Sequence, residues 1–196
     1  MNREEALQAF KDRNALLEGH FLLTSGKHSP RYLQCALVCQ HPDLCERMCQ
    51  ALAERLQGVS ADVVVGPAMG GIVLAYELAR ALGVRGVFME RDDAGRMQLR
   101  RGFKIASGEK VIVAEDVMTT GGSVAEIVKG LREQGAETVA VACLVDRGGL
   151  QRFDSVKKVS LLEMDIPVYD PADCPLCSDG AELVKPGSRK LPGGKA

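Results

Sequence analysis

The chain has 196 residues, 46% of them hydrophobic and 26% charged, a length and balance that suit one globular domain with a real core. A formal net charge of −1 leaves no basic excess to neutralise a phosphate backbone, which excludes nucleic acid as the main partner. No apolar run approaches the about 18 residues of a membrane span, and MNREEALQAF is too charged for a secretory leader, so a cytoplasmic protein is expected, with no membrane partner.

Taken in order, Asn2 with Glu5 reads as an N-cap and its partner, and Ala6, Leu7, Phe10 and Leu17 carry a helical stripe through about Leu17. Phe21 to Thr24 is extended, SGKHSP is turn chemistry, and Arg31 to Cys35 extends again, which predicts a short hairpin. Lys27 and His28 at its tip read either as solvated turn residues or as ligands. Pro42 and Asp43 start a helix to about Leu56 with Leu44, Met48, Leu52 and Leu56 on its apolar face. Cys45 and Cys49 are spaced to share a helix face, for a metal or for packing, and packing is favoured because no third ligand is in view. The cysteine count is seven, odd and without a secretion signal, so most are expected as reduced thiols acting as small hydrophobes.

A first strand–turn–helix unit spans Asp62 to Gly83: Val63 to Val65 as a buried strand, GPAMGG as the turn, and Ile72, Ala75, Leu78, Ala79 and Leu82 along the helix. Its backbone N–H groups would suit a diphosphate. Val84 to Glu90 is the next strand. The polar stretch from Arg91 to Glu109 holds Arg91, Arg96, Arg100, Arg101 and Lys104, and reads as a solvated loop or as a mobile basic flap over an anionic site.

Lys110 to Gly135 is a second such unit. Val111, Ile112 and Val113 form a buried strand ended by Glu115 and Asp116. Thr119, Thr120, Gly121 and Gly122 make a tight loop, and Ser123 with Glu126 reads as a capping box that starts a helix. Glycines and a helix N-terminus suit a phosphate, while adjacent carboxylates suit sugar hydroxyls or a hydrated Mg²⁺. No Walker A pattern is present. Thr138 to Val145 is another strand, ending in VDRGG with Arg147 at the edge where open α/β sheets place ligands. Val156 to Met164 reads as a final edge strand or a mixed segment. From Asp170 the chain is a Pro- and Gly-rich tail carrying Cys174-Pro-Leu-Cys177, which reads as structural thiols, as half of a metal site needing two more ligands, or as a redox pair. No complete metal-ligand set is visible.

The residues EDVMTTGGS, Glu115 to Ser123, closely resemble the phosphoribosyl pyrophosphate (PRPP) signature of type I phosphoribosyltransferases. The resemblance implies an α/β fold with a mostly parallel central sheet flanked by helices, a small N-terminal hood over about residues 1–40, a core over about 41–168 and the tail from about 170 to 196. It also implies that Glu115, Asp116, Val117, Met118, Thr119, Thr120, Gly121, Gly122 and Ser123 bind PRPP, the loop on the 5′-phosphate and the two carboxylates on the ribose hydroxyls. LTSGKHSPRYLQ resembles the hood segment of orotate phosphoribosyltransferases, and VDRGG resembles their orotate-carboxylate segment. That likeness implies Tyr32 over the base, Arg147 and Thr119 on orotate, a basic loop that closes on a neighbouring subunit's site with Arg91 and Arg96 in catalytic positions, Mg²⁺ as cofactor and a homodimer. Two positions depart from the pattern: Thr24 and Gly70 stand where many members carry Lys. The expected reaction joins orotate and PRPP to give orotidine 5′-phosphate and pyrophosphate. The rivals are a purine phosphoribosyltransferase and a PRPP-sensing regulator of the same fold.

Overall fold

The computed structural model describes residues 1–23 and 25–186. Helix α1 (Arg3–Asp12) begins with the expected reciprocal cap, Asn2 Oδ1 accepting from the Glu5 N–H and Glu5 Oε2 from the Asn2 N–H, both at 2.9 Å. It ends before the predicted limit. Asn14 takes a left-handed φ of 51°, a conformation Asn tolerates better than most residues, and the chain reverses into a strand. Leu17, assigned to the helical stripe from sequence, therefore lies in β1 (Leu16–Leu22), which pairs antiparallel with β2 (His28–Leu33). The hairpin is longer than predicted, and His28 is not a solvated tip residue: it opens β2 and is buried.

After a single turn, α2 (Ala36–Cys39), comes α3 (Pro42–Arg55), which buries Leu44, Met48 and Leu52 and with them Cys45 and Cys49. Those two thiols are core side chains. The alternating units then follow as β3 (Val63–Pro67), α4 (Gly71–Leu82), β4 (Arg85–Arg91), β5 (Met97–Leu99), β6 (Lys110–Met118), α5 (Gly122–Glu133), β7 (Glu137–Asp146) and β8 (Lys157–Glu163). They build a six-stranded sheet in the order β5-β4-β3-β6-β7-β8, parallel except for β5 at the edge.

The aliphatic runs are explained by burial on both faces. Val64, Ile112, Ala140 and Ala142 pack with Phe10, Leu52 and Leu78 on the side of α1, α3 and α4, while Val63, Val65, Val111, Val113 and Val141 pack with Ile127 and Leu131 of α5 on the other. The alternation of successive strand residues sends neighbours to opposite cores.

The expectation about the polar stretch after β4 is corrected. Arg91 to Glu109 is not one loose flap, because β5 folds back on β4 with Met89 opposite Leu99 and Arg91 opposite Met97. Asp92 stabilises the turn, its carboxylate accepting from the N–H groups of Ala94 and Arg96 at 3.0 and 2.8 Å. Arg100 and Arg101 pair with Glu90 at 3.6 and 3.0 Å, and Arg101 also sits over the Phe88 ring. Residues 170–186 of the tail carry two short elements. A one-turn helix α6 (Pro175–Ser178) precedes β9 (Leu183–Val184), which joins the hood hairpin in a second sheet of order β2-β1-β9.

Candidate active site

The carboxyl ends of β3, β6 and β7 meet at the crossover where open α/β sheets bind ligands. β6 runs on to Met118, so Glu115 and Asp116 lie within the strand rather than ending it. Being consecutive strand residues, they address opposite sides. Glu115 lines a cleft of about 270 Å³ together with Arg91, Val117, Met118, Thr119, Thr120, Gly121, Gly122, Ser123, Val124 and Glu126. Asp116 faces the GPAMGG turn, where a Cβ added at Gly70 would lie 2.8 Å from its Oδ2. The carboxylates thus stand between two glycine-rich turns, Glu115 toward one and Asp116 toward the other. The absence of a side chain at Gly70 leaves Asp116 its present position, which is what a Lys there would disturb. Thr24, the other departure, lies outside the described residues.

The loop after β6 enters α5 through Gly121, left-handed at φ 71°, and Gly122 is the first helical residue. No side chain among the described residues caps this helix, and the predicted Ser123–Glu126 box does not form because the N-cap is Gly121 and Ser123 is already the second helical residue. Glu126 instead accepts a two-pronged bond from Arg91 at 2.7 and 3.1 Å, which also raises the Arg91 pKa. An uncapped N-terminus leaves its first N–H groups for an anion. A glycine-to-glycine contact holds the loop from behind. A Cβ at Gly121 would come within 3.1 Å of the Gly149 carbonyl, and one at Gly149 within 3.0 Å of the Gly121 nitrogen. The Thr120 carbonyl accepts from Arg152.

That second loop is VDRGG. Asp146 shapes it by accepting from the N–H groups of Gly148 and Leu150 at 3.0 and 3.1 Å. Arg147 follows, its N–H donating to the Met118 carbonyl at 2.7 Å, so it is tied to the end of β6. One guanidinium nitrogen donates to the Ile166 carbonyl at 3.2 Å, while the buried Nε finds no hydrogen-bond partner among the described residues. Burial holds the Arg147 pKa below the usual guanidinium value. A half-buried guanidinium with an unsatisfied donor suits a planar anion.

The hood reaches the same place. Tyr32 is half-buried on β2, with its ring 6.0 Å from that of Phe21. Just beyond β2, Cys35 lies with its sulfur 3.8 Å from the Asp116 carbonyl, and burial, followed by the Asp116 charge, pushes its thiol pKa well up. Of the two basic-loop candidates, Arg91 lines the cleft, whereas Arg96 is held by Asp92 at 2.9 Å in the β4–β5 turn and is absent from the cleft lining. Sequence reasoning missed Glu126 as a partner of Arg91, Asp146 as the organiser of its loop, and Cys35 beneath Asp116. Only Asp146 carried a local signal, an Asx turn ahead of two glycines.

This fold and this paired-loop site define a type I phosphoribosyltransferase, and residues 40–173 match the family model of the phosphoribosyl transferase domain. Among solved structures, the chain superposes on an orotate phosphoribosyltransferase from Aeropyrum pernix with a TM-score of 0.69 at 28% identity, covering 80% of this chain and 92% of that one. An adenine phosphoribosyltransferase from Thermoanaerobacter pseudethanolicus shares the fold, with a TM-score of 0.62 at 18% identity over 68% and 88% of the two chains. The orotate phosphoribosyltransferase of Caldicellulosiruptor saccharolyticus is 56% identical over 191 residues, covering 97% of this chain and all of the relative. That of Desulforamulus reducens is 51% identical over 191 residues, with 97% and 100% covered. The chain belongs to the orotate phosphoribosyltransferase family. No described helix is long and apolar enough to cross a membrane.

Proposed function

We propose that the chain transfers the phosphoribosyl group of PRPP to orotate, giving orotidine 5′-phosphate and pyrophosphate in pyrimidine synthesis. The observation that carries this reading is Arg147: half-buried, with an Nε that has no partner among the described residues, and bonded through its own N–H to the end of the strand that bears the PRPP signature. A half-buried guanidinium favours a base that brings a carboxylate. A purine would leave it unsatisfied.

In this reading the 5′-phosphate accepts from the N–H groups of the Gly121–Gly122 turn and the start of α5, with the hydroxyls of Thr120 and Ser123 adding donors. Glu115 and Asp116 accept from the ribose 2′ and 3′ hydroxyls from either side and fix the ring. Arg147 and Thr119 hold the orotate, and Tyr32 covers it. As pyrophosphate departs, the ribose C1′ becomes oxocarbenium-like and a ring nitrogen of orotate attacks it. The two carboxylates stabilise that positive charge, so the protein's contribution is positioning and electrostatics. Glu115 and Asp116, a half-buried pair of hard oxygen donors, would suit Mg²⁺. When bound, it supplies charge neutralisation for the leaving group. Arg91 contributes from the cleft wall. In this reading the exposed Arg96 acts on a neighbouring subunit in a cytoplasmic homodimer, with residues 1–196 serving as one catalytic unit.

An assay of the purified protein with PRPP, Mg²⁺ and a panel of bases tests the reading. Consumption of orotate alone is expected. Turnover of adenine, guanine or hypoxanthine in its place would overturn the base assignment, and no turnover with any base would favour a PRPP sensor.

A further inference from the structure

Four side chains that the transfer reaction does not use converge where the tail meets the hood. His20 comes from β1, His28 from the start of β2, and Cys174 and Cys177 from the C-x-x-C turn around α6. One nitrogen or sulfur from each lies within 4.8 Å of all the others. His20 Nε2 is 2.9 Å from His28 Nδ1 and 3.5 and 3.7 Å from the sulfurs of Cys174 and Cys177, and Cys177 Sγ is 3.3 Å from His28 Nδ1. A tetrahedral zinc with bonds of about 2.05 Å to nitrogen and about 2.3 Å to sulfur has ligand–ligand edges of about 3.3–3.8 Å. Three of these distances match such edges, the two imidazoles stand a few tenths of an ångström too close, and no pair exceeds 4.8 Å, so an ion would draw the four groups together by small side-chain shifts.

The surroundings suit an ion as well. His20, His28 and Cys174 are 3%, 5% and 2% exposed, so three of the four ligands are shut away from water. The other nitrogen of His20, Nδ1, lies 2.9 Å from the Ala181 carbonyl. Donating its proton there sets the tautomer that turns a lone pair at Nε2 toward the cluster, the usual outer support of a metal-bound imidazole. The turn itself is tight, with Ser178 N–H reaching the Cys174 carbonyl at 3.3 Å and Gly180 N–H the Cys177 carbonyl at 3.1 Å, which holds both sulfurs on one side.

Energetics ask for a fastener at this corner. α6 has four residues, β9 two, and Leu183 and Val184 are 42% and 45% exposed, so the segment buries little apolar surface of its own. Elements this short do not persist without help. Apart from the cluster, the tail is tied to the hood by the His28–Tyr169 bridge, the β1–β9 pairing and an exposed Lys27–Asp170 ion pair.

We propose that His20, His28, Cys174 and Cys177 form a structural zinc site that clamps the C-terminal segment onto the hood. Mixed sulfur and nitrogen ligands in a closed tetrahedral set are the preference of Zn²⁺. Binding displaces one proton from each thiol while both imidazoles bind neutral, so the filled centre carries no net charge and needs no redox partner. The same β2 strand carries Tyr32, so the clamp also steadies the part of the hood that covers the base.

Metal analysis of the full-length protein, purified reduced and without chelator, tests this. About one zinc per chain is expected, falling at least about tenfold in the Cys174→Ser/Cys177→Ser double variant. Because that variant could fail to fold, cobalt is loaded into the unaltered chain as a second measurement. Thiolate-to-cobalt charge-transfer absorption with intense tetrahedral d–d bands supports the site. Stripping the zinc with a strong chelator should lower the melting temperature by about 5 °C or more. Zinc below about a tenth per chain after incubation with excess ion and desalting, an octahedral cobalt spectrum without thiolate bands, full zinc retention in the double variant, or a Cys174–Cys177 disulfide in the reduced preparation would each overturn the proposal.

Discussion

The phosphate loop and the hood corner are both small polar sites built from a handful of side chains, yet they are assembled in opposite ways. The loop is contiguous: Glu115 to Ser123 supply carboxylates, hydroxyls, glycines and the helix start in one run. The corner is dispersed. Its cysteines lie 154 and 157 positions from His20, and only the members of each pair, His20 with His28 and Cys174 with Cys177, are close along the chain. A contiguous site takes its geometry from local backbone rules and has its function written in a short motif. A dispersed site exists only once the sheets have formed, and its first contribution is to stability.

This contrast can be broken by substitution. Asp116→Asn should have the largest effect, cutting turnover by about 100-fold or more while leaving the melting temperature close to that of the unaltered protein. A steep loss of stability instead would put the carboxylate among the structural groups, like the corner. Steady-state kinetics beside thermal unfolding separate the two. Arg147→Ala should come next, with kcat/KM for orotate down by about 10²-fold and KM for PRPP little moved. Arg147→Lys should recover only part of this, because a point charge cannot reproduce the planar fork. Equal losses for both substrates would mean that Arg147 mainly supports the loop in front of it.

Gly70→Ala should be the mildest of the three. Its methyl must lie 2.8 Å from Asp116 Oδ2 unless the carboxylate swings away, so a loss of about tenfold in kcat/KM for PRPP is expected with the fold intact. Unchanged kinetics would show that Asp116 does not need its present position. The zinc clamp supplies the opposite signature, since metal loss should be read first in melting temperature.

How far the molecule was legible follows the same division. The aliphatic runs at Val63–Val65, Val111–Val113 and Val139–Val145 announced a mostly parallel sheet because both faces are covered. The GPAMGG and TTGGS turns were legible because glycine at a strand-to-helix turn has a backbone reason. Ser123–Glu126 shows where local rules lose. The spacing suited a capping box, but the N-cap is Gly121 and Glu126 pairs with Arg91 from β4. The basic stretch after β4 was misjudged for a related reason: Glu90 and Asp92, inside or beside the same stretch, neutralise the arginines once β5 folds back. His28 read as a turn residue because nothing nearby announces the two cysteines that reach it.

By itself the sequence determined the sheet class, the glycine-rich loop that follows Glu115 and Asp116, and the place of Arg147 at a strand end, since each depends on residues close together along the chain. The tertiary structure alone decided which charges pair, what a side chain at Gly70 would meet, that Arg147 is half-buried with an Nε unpartnered among the described residues, and that His20 and His28 meet Cys174 and Cys177. Those contacts depend on which strands lie side by side, and strand order follows from burying the whole core at once rather than from any one segment.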